Sequence, residues 1–209
     1  AWVAWVEAPV FQWQGRPCRL LGVTQFNSLD ALTAWAARSH DEISVRTGFF
    51  DSVFASASLS KTQQDFIAFA FQSWLMNTWW VVDEQGNDWF ALSDGREGRL
   101  SPIDAEFTHS PLYLALWPDL LGKLLAQYLE FEQAPPIADD PSVTADPSAP
   151  VTPGNAPFIF LPSDLGWGDH ASENRAAFAA PVETACNYLL LLHVYWKWTG
   201  HFPLPENRL

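Results

Sequence analysis

The chain has 209 residues, of which 48% are hydrophobic, so it holds enough apolar material for one large domain or two small ones. Its 24 acidic residues outnumber its 11 Lys and Arg, and the formal net charge of −13 argues against nucleic acid as a partner. No apolar run is long enough to predict a membrane span, and no C-x-x-C or similar spacing predicts a metal or cofactor. The acidic composition favours a secreted or periplasmic location, although the N-terminus shows no signal-peptide pattern.

The first part of the chain predicts short strands and then a helix. Residues 1–26 contain apolar runs on either side of the turn sequence QGRP, which indicates two or three strands at the edge of a sheet. Asn27 or Ser28 then caps a helix, because apolar residues recur at intervals of three and four as far as about residue 44. A connector containing aromatic residues follows it, over residues 47–60.

The middle of the chain predicts a second helix, a hairpin and a third helix. Ser60 caps the second helix, and residues 81–92, VVDEQGNDWFAL, predict a β-hairpin with its turn at residues 85–87. Pro111 opens the third helix, and Pro118 inside the same apolar pattern should kink or restart it.

The last part of the chain changes character twice. Residues 133–157 are rich in Pro, Ala, Asp and Ser, which predicts a flexible linker or a nicked loop. Residues 158–171 indicate a buried strand and then an acidic, Gly-rich loop. The final helix covers residues 182–199, with Pro181 at its start and Gly200 just past its end.

An acidic loop with nearby tryptophans is the first candidate site. It contains Asp94, Glu97, Asp104 and Glu106, and His109 follows closely. If the run around Asp104 and Glu106 is extended, both side chains point to one side, about 7 Å apart at the backbone. Paired carboxylates can divide acid and base roles between them, although a solvated acidic loop in front of a helix is the simpler interpretation. The aromatic residues that favour a sugar ligand are Trp79, Trp80, Trp89 and Trp117.

A second polar cluster lies near the C-terminal end. The loop sequence SDLGWGDH contributes Asp164 and Trp167, and Trp167 between two glycines suits a platform for a sugar ring. Glu183 and Asn187 are four residues apart and so share one face of the last helix. Glu183 can equally be a carboxylate that only stabilises the N-terminal end of that helix.

Several motifs occur in one order that resembles a known family. They include TQFNSLDAL, WFALSDGREGRLSPIDAEFTHSPLYLALWPDLL, LPSDLGWGD and PVETACNYLLLLHVYWKWTG. Together they resemble the catalytic barrel of glycoside hydrolase family 116, which includes non-lysosomal glucosylceramidases, and related bacterial proteins termed glutaminase A-like. The resemblance covers most of the chain between about residues 24 and 200, and its specific parts are residues 89–121 and 181–198.

The resemblance implies a mainly α fold that is part of an (α/α)6 toroid. The strands of residues 1–26 then belong to an N-terminal β-sandwich, residues 27–132 to the first part of the barrel, and residues 158–209 to a further barrel segment. It also implies hydrolysis of a glycosidic bond by paired carboxylates, with a carbohydrate as the substrate. The family's barrel is much longer than this chain, which implies a second chain or a further segment that completes it.

The same resemblance suggests roles for individual residues. Asp104 matches the aspartate that serves the family as general acid/base. The family's nucleophile is a Glu in an F-N-E-L-Y run, whereas the matching run here is M-N-T-W-W, so Asn77 matches and Thr78 replaces the Glu. The second carboxylate must then come from another position, and the candidates are Glu97, Glu106, Asp164 and Glu183. We expect substrate contacts from Asn77, Trp89, His109, Asp164, Trp167 and Asn187.

Two other functions stay open at this point. The Thr at the nucleophile position favours a non-catalytic carbohydrate-binding protein or a degenerate relative of the family. An amidohydrolase is suggested only by the glutaminase-like name of the bacterial relatives, because no order of Ser, His and Asp or of Cys and His supports it.

Overall fold

The computed structural model describes residues 6–56, 58–95, 97–131, 161–171 and 181–204. Over these ranges the chain forms seven α-helices, six short strands and one 3-10 turn. It divides into two compact units, Ala1–Ser93 and Asp94–Leu209. The predicted linker over residues 133–157 lies outside the described residues, as does the start of the predicted strand at residue 158. The sequence placed its other boundary after residue 26, which falls inside the first unit.

The first unit is built on an antiparallel sheet. Its strands are β1 (Phe11–Trp13), β2 (Arg16–Leu20), β3 (Thr78–Val82) and β4 (Asp88–Leu92), and they pair in the order β4-β3-β2-β1. The register places Phe11 opposite Cys18, Arg19 opposite Val82, and Trp80 opposite Phe90. Strands far apart in sequence are therefore joined by ladder hydrogen bonds into one sheet.

Aromatic side chains form the core on this sheet. Alternate residues of β1 are buried, and Trp13 stacks on Trp89 with ring centroids 5.4 Å apart. The guanidinium of Arg16 lies 4.4 Å from the centroid of the Trp89 ring, which adds a cation–π contact. Phe11 contacts Trp79 at 5.3 Å. These aromatic residues thus pack the core of the first unit.

The β3–β4 hairpin confirms the predicted turn. The Asp83 carboxylate accepts hydrogen bonds from the backbone N–H groups of Gln85 and Asn87, each at 2.9 Å. Gly86 adopts φ +86°, a left-handed conformation that costs glycine little. Burial works to raise the pKa of Asp83, but the bonds from Asn87 and Gln85 and the charge of Arg16 together hold that pKa below its usual value.

Four helices complete the first unit: α1 (Leu21–Thr24), α2 (Leu29–Arg38), α3 (His40–Ser56) and α4 (Lys61–Met76). Both predicted caps are confirmed: the Ser28 hydroxyl accepts from Ala31 N–H at 3.1 Å, and Ser60 forms a capping box with Gln63. The predicted connector is wrong, because α3 continues through it to Ser56. That segment contains no Pro, and one isolated Gly is tolerated inside a helix.

The second unit packs three helices, α5 (Ile103–Leu116), α6 (Pro118–Tyr128) and α7 (Pro181–Thr199). The rings of Tyr128 and Tyr188 lie 5.9 Å apart between α6 and α7, and the Tyr188 hydroxyl donates to the Leu125 carbonyl at 2.8 Å. A 3-10 turn (Leu129–Phe131) follows α6, and strands β5 (Gly166–Trp167) and β6 (His170–Ala171) pair antiparallel.

The two prolines of this region behave differently. Pro118 stands at the first position of α6 and separates it from α5, so the predicted restart is confirmed. Pro111 was predicted to open a helix, but it lies inside α5, which begins eight residues earlier at Ile103. A proline there cannot donate to the carbonyl of Phe107, and the Ser110 hydroxyl donates to that carbonyl instead, at 2.8 Å. The local side chain thus makes up for the missing bond.

The predicted fold class is wrong, because the chain is mixed α and β and is not part of an (α/α)6 toroid. The strands expected to flank a barrel form a continuous sheet that carries the aromatic core of the first unit. In the second unit, α5, α6 and α7 pack on one another around buried tyrosines. Within the described residues, no helix has the length and apolarity needed to cross a membrane.

Candidate active site in the second unit

Backbone hydrogen bonds bring the loop before β5 against the start of α5. Ile103 N–H donates to Ser163 at 2.8 Å, and Leu165 N–H donates to Leu100 at 2.8 Å. Leu100 N–H in turn donates to Gly166 at 2.9 Å. These bonds join two segments that are about 60 residues apart in the sequence. Asp164 is therefore held close to the first turn of α5.

Ser101 shapes the entry to α5. It has φ +44°, which is uncommon for a residue with a Cβ, and it is fully buried. The Tyr128 hydroxyl donates a hydrogen bond to its carbonyl. Pro102 then precedes Ile103 as the N-terminal flanking residue of the helix. The bond from Tyr128 thus fixes the backbone just before the residues that carry the acidic side chains.

Asp104 and Glu106 do not lie on one side, so the predicted extended geometry is wrong. Both residues belong to the first turn of α5. Residues two apart in an α-helix are separated by about 200° around its axis. Asp104 is accordingly exposed, whereas Glu106 has no exposed surface. The sequence missed this because it placed the helix start at Pro111.

Two residues of its own helix lie close to the Glu106 carboxylate. Its Oε2 accepts a hydrogen bond from the Tyr113 hydroxyl at 2.9 Å, and His109 Nδ1 lies 3.8 Å from the same oxygen. Among the described residues, neither Glu106 Oε1 nor His109 Nδ1 has a hydrogen-bond partner. Positions 106, 109 and 113 share one helical face, so the structure does bring together two of the predicted site residues.

Asp164 is a buried carboxyl group whose pKa is shifted by its surroundings. Only 5% of the residue is exposed, and burial raises its pKa. Hydrogen bonds from Gly166 N–H at 3.2 Å and from the Ser163 hydroxyl at 3.3 Å oppose that rise. The charge of Arg99 also opposes it, while the charge of Asp94 raises the pKa further. The net rise favours the protonated form of Asp164 at higher pH than usual.

Tyr128 lies within electrostatic reach of three carboxylates. Burial, which is complete, raises its pKa well above the usual value. The charges of Glu106, Asp164 and Asp104 add to that rise, in this order. A negative phenolate is disfavoured where other negative charges are close. Asp104, Glu106 and Asp164 are the three carboxylates whose charges raise this pKa, and we call them the Tyr128 carboxylate group.

The acidic loop of residues 94–99 is an internally bonded turn. Asp94 Oδ1 accepts from Glu97 N–H at 3.0 Å and from Gly98 N–H at 2.8 Å. Arg99 Nε lies 3.3 Å from the Asp94 carboxylate and 3.4 Å from that of Glu97. Glu97, predicted as a candidate second carboxylate, is thus exposed and shares a cation with Asp94.

Trp167 stands next to this turn with its ring partly open to solvent. It bridges to Arg99 across a short antiparallel pair, and Gly168 N–H donates to Gly98 at 2.7 Å. A Cβ at Gly98 would lie 3.1 Å from Trp167 Nε1, so the glycine leaves room for the ring. The residue is 55% exposed. It offers the aromatic surface that the sequence predicted.

The remaining predicted residues of the second unit lie on α7. Glu183 is exposed in the first turn, and Asn187 is half-buried one turn later. Within the described ranges, no hydrogen bond or ion pair links either residue to the Tyr128 carboxylate group. No three His, Cys, Asp or Glu side chains of these ranges are arranged to hold a metal ion.

Trp89 and Asn77 belong to the first unit. Trp89 is only 4% exposed and packs in the aromatic core, so its ring presents no open face to a sugar. Asn77 ends α4, and its amide donates to the Ser73 carbonyl at 2.8 Å. Thr78, at the position of the family's nucleophile, donates its hydroxyl to the Leu75 carbonyl at 2.7 Å. Both polar side chains thus donate hydrogen bonds to backbone carbonyls at the C-terminal end of α4.

Four residues of the site were missed by the sequence: Tyr128, Tyr113, Ser101 and Arg99. Tyr113 lies seven residues after Glu106, so this spacing would have identified it once α5 was extended back to Ile103. Tyr128 reaches Ser101 over 27 residues, and no local pattern indicates such a contact.

Neither the known family models nor the curated proteins contain a match to this chain.

Proposed function

We propose that this chain, or the protein of which it is a piece, hydrolyses glycosidic bonds with Asp104 and Asp164 as the pair of carboxylates. The observation that carries the proposal is the set of backbone hydrogen bonds that hold Asp164 close to the first turn of α5, which contains Asp104. Glycosidases of most families need one protonated and one ionised carboxyl group on either side of the scissile bond. The motif resemblance also supports a glycoside hydrolase. That support comes from the sequence motifs alone.

Asp164 is the group that we assign as proton donor. Its raised pKa keeps the carboxyl protonated over a wider pH range, which a general acid requires. Asp104 is exposed in the first turn of α5, where the helix macrodipole favours a negative charge. Because it is the exposed carboxylate of the pair, we assign it as the base or nucleophile. The family resemblance implies the acid role for Asp104, whereas this assignment gives that role to Asp164.

Glu106 has a positioning role in this proposal. It has no exposed surface, so a substrate in solvent does not reach it. Its negative charge contributes to the raised pKa of Tyr128. A neutral Tyr128 keeps its proton for the hydrogen bond to Ser101 and so maintains the backbone before Asp104. Trp167 is the residue that we assign to sugar stacking, because it is exposed beside the Arg99 turn.

The test is hydrolysis of a panel of aryl glycosides by the wild type and by Asp104→Asn, Asp164→Asn and Asp119→Asn. Asp119 is an exposed carboxylate in the first turn of α6, so its variant has the same charge change away from the site. We expect both site variants to lose about 10²–10⁴-fold in kcat/KM and the control to stay within about twofold. Wild-type protein that cleaves none of the glycosides, or equal losses in all three variants, would contradict the proposal. Hydrolysis of glutamine in the same panel would favour an amidohydrolase.

A carbohydrate-binding protein without hydrolytic activity is the second candidate. It is favoured by Thr78, which occupies the nucleophile position of the resembled family and bonds to backbone. Under this function Trp167→Ala abolishes sugar binding, whereas Asp164→Asn changes neither binding nor the absent hydrolysis. Sugar affinity measured by calorimetry beside the activity panel distinguishes the two functions.

A further inference from the structure

The first unit contains an open cavity of about 820 Å³. It lies between the segment from Arg19 to Asn27 and helix α2. Ala31, Trp35 and Arg38 line it from α2, and their spacing of four and three residues places them on one face of that helix. Ligand pockets in proteins usually measure about 300–1,000 Å³, so the cavity has room for a small organic molecule.

The lining of this cavity has an unusual charge for this chain. Arg19 and Arg38 contribute two guanidinium groups, while Glu7 is its one carboxylate. The lining therefore carries a formal charge of +1, from two positive groups and one negative group, in a chain of net charge −13. Within the described residues, no carboxylate forms an ion pair with Arg19 or Arg38. Two guanidinium groups are thus available to an anionic ligand.

An aromatic pair and two amides complete the lining. Phe26 and Trp35 contact each other with ring centroids 5.4 Å apart, and Trp35 is 42% exposed. Its ring can cover the apolar face of a ring-shaped ligand. Gln25 and Asn27 are exposed, and their side-chain amides have no hydrogen-bond partner among the described residues. Such amides suit the hydroxyl groups of a sugar, since they both donate and accept.

We propose that the cavity binds an acidic sugar, of the uronic acid class, through its carboxylate and its ring. Arg19 and Arg38 bind the carboxylate, because the planar guanidinium forms strong, often bidentate bonds with carboxylates. Trp35 stacks on the sugar ring, and Gln25 and Asn27 bond to hydroxyl groups. The cavity shares no residue with the Tyr128 carboxylate group, so this proposal does not depend on glycoside hydrolysis.

The test is a ligand-observed NMR titration of the full chain with glucuronate, glucose and benzoate at physiological ionic strength. Glucose lacks the carboxylate, and benzoate keeps a carboxylate on a ring without hydroxyl groups. The variants are Arg19→Gln, Arg38→Gln and Trp35→Ala, with circular dichroism as the check on folding. The matched control is Arg46→Gln, which removes one positive charge from α3, where Arg46 is paired with Glu42 at 2.6 Å.

We expect glucuronate to bind about tenfold more tightly than glucose, which lacks the charge-assisted bond, and about tenfold more tightly than benzoate, which lacks the hydroxyl groups that bond to Gln25 and Asn27. Each cavity variant should lose about tenfold in affinity for glucuronate, and Arg46→Gln should stay within about twofold. Asp119→Asn, which removes an exposed carboxylate outside both proposed sites, should bind glucuronate like the wild type. Absence of glucuronate binding, equal binding of glucose or benzoate, or full affinity in Arg19→Gln and Arg38→Gln would overturn the proposal.

Discussion

Asp164 combines burial with a titratable group, and this combination affects stability whether or not the chain is an enzyme. Its pKa in the folded chain lies above the value of 3.8 for an unperturbed Asp, chiefly because of burial. The folded state therefore holds the proton more tightly than the unfolded state does. The stability that results is fully present below pH 3.8 and is lost as the pH rises through the pKa of the folded state.

We accordingly predict a pH dependence that Asp164→Asn removes. The free energy of unfolding of the wild type, minus that of the variant, should fall as the pH rises from 3.8 through the pKa of folded Asp164. Urea unfolding at a series of pH values measures this difference. Asp119→Asn, which removes an exposed carboxylate, is the control for the change in charge alone. A difference that rises with pH would mean that Asp164 is stabilised in its ionised form.

The buried bond between Tyr113 and Glu106 gives a second prediction at this scale. Tyr113→Phe removes the 2.9 Å bond and leaves Oε2 of a fully buried carboxylate without that donor. We expect the free energy of unfolding to fall by about 1–3 kcal/mol, the usual cost of such a group. Tyr195→Phe is the matched control, because no hydrogen bond from the Tyr195 hydroxyl occurs among the described residues. Denaturant unfolding at neutral pH measures both, and equal effects would contradict the prediction.

Residue positions within the candidate site were only partly predictable. The sequence identified Asp104, Glu106 and Asp164 by residue type and by their neighbours. It assigned the wrong geometry to the first two, because a proline is typical of the start of a helix and Pro111 instead lies inside α5. The bond from the Ser110 hydroxyl that compensates for Pro111 could not be predicted from the sequence. The link to Tyr128 depends on the packing of α6, and helix periodicity contains no information about which residue of a distant helix a given loop meets.

At the scale of elements, Gly122 shows how closely α6 and α7 approach. A Cβ at this position would lie 2.7 Å from the Tyr195 hydroxyl oxygen and 2.9 Å from Cζ of the same ring. Tyr195 is only 7% exposed, so its ring has little space into which to move. The absence of a side chain at Gly122 is thus a condition for this helix pair.

We predict that Gly122→Ala lowers the free energy of unfolding by up to about 2 kcal/mol, although Ala is the better helix former. Overpacking costs about 1–3 kcal/mol, and the gain in helix propensity is about 1 kcal/mol. Gly48→Ala is the control inside α3, where no atom lies within 4 Å of the added Cβ, and it should stabilise by up to about 1 kcal/mol. Combining Gly122→Ala with Tyr195→Phe should restore part of the loss. A stabilising Gly122→Ala would show that the ring moves aside freely.

Elements were predicted best where their signals are local. Caps at Ser28 and Ser60, the hairpin turn and the restart at Pro118 each depend on a few neighbouring residues, and all are confirmed. The joining of β2 to β3 depends on segments about 60 residues apart, so the sequence did not reveal a continuous sheet. Without this long-range information, the fold was inferred from the motif resemblance, which implied a helical barrel.

At the scale of the whole molecule, the main feature is that α4 exposes large apolar side chains to solvent. Phe66 and Phe69 are each 71% exposed, and Met76 is 78% exposed. Apolar residues occupy most faces of this helix, a pattern typical of a helix that is buried on nearly all sides. Exposed apolar surface of this kind binds other apolar molecules from water. The sequence predicted a second chain that completes a helical barrel. The barrel is wrong, and the second chain stays a prediction.

We predict that the isolated chain increases the fluorescence of an apolar dye such as ANS under native conditions. Phe66→Ser combined with Phe69→Ser should reduce that fluorescence at least about twofold, because two large apolar surfaces are lost. The control is Lys61→Ser combined with Asp65→Ser, which removes an exposed ion pair of the same helix. Unchanged dye fluorescence in the Phe variant would mean that these side chains are covered in solution.

The two cysteines differ in a way that is useful to an experimenter. Both are free thiols, but Cys18 is buried on β2 and its pKa is raised by that burial, whereas Cys186 is exposed on α7. Because the thiolate is the reactive form, a maleimide added at neutral pH modifies Cys186 and leaves Cys18 protected while the chain is folded. Cys186 lies between Glu183 and Asn187, so a fluorophore or spin label can be attached beside those two residues without removing the other thiol.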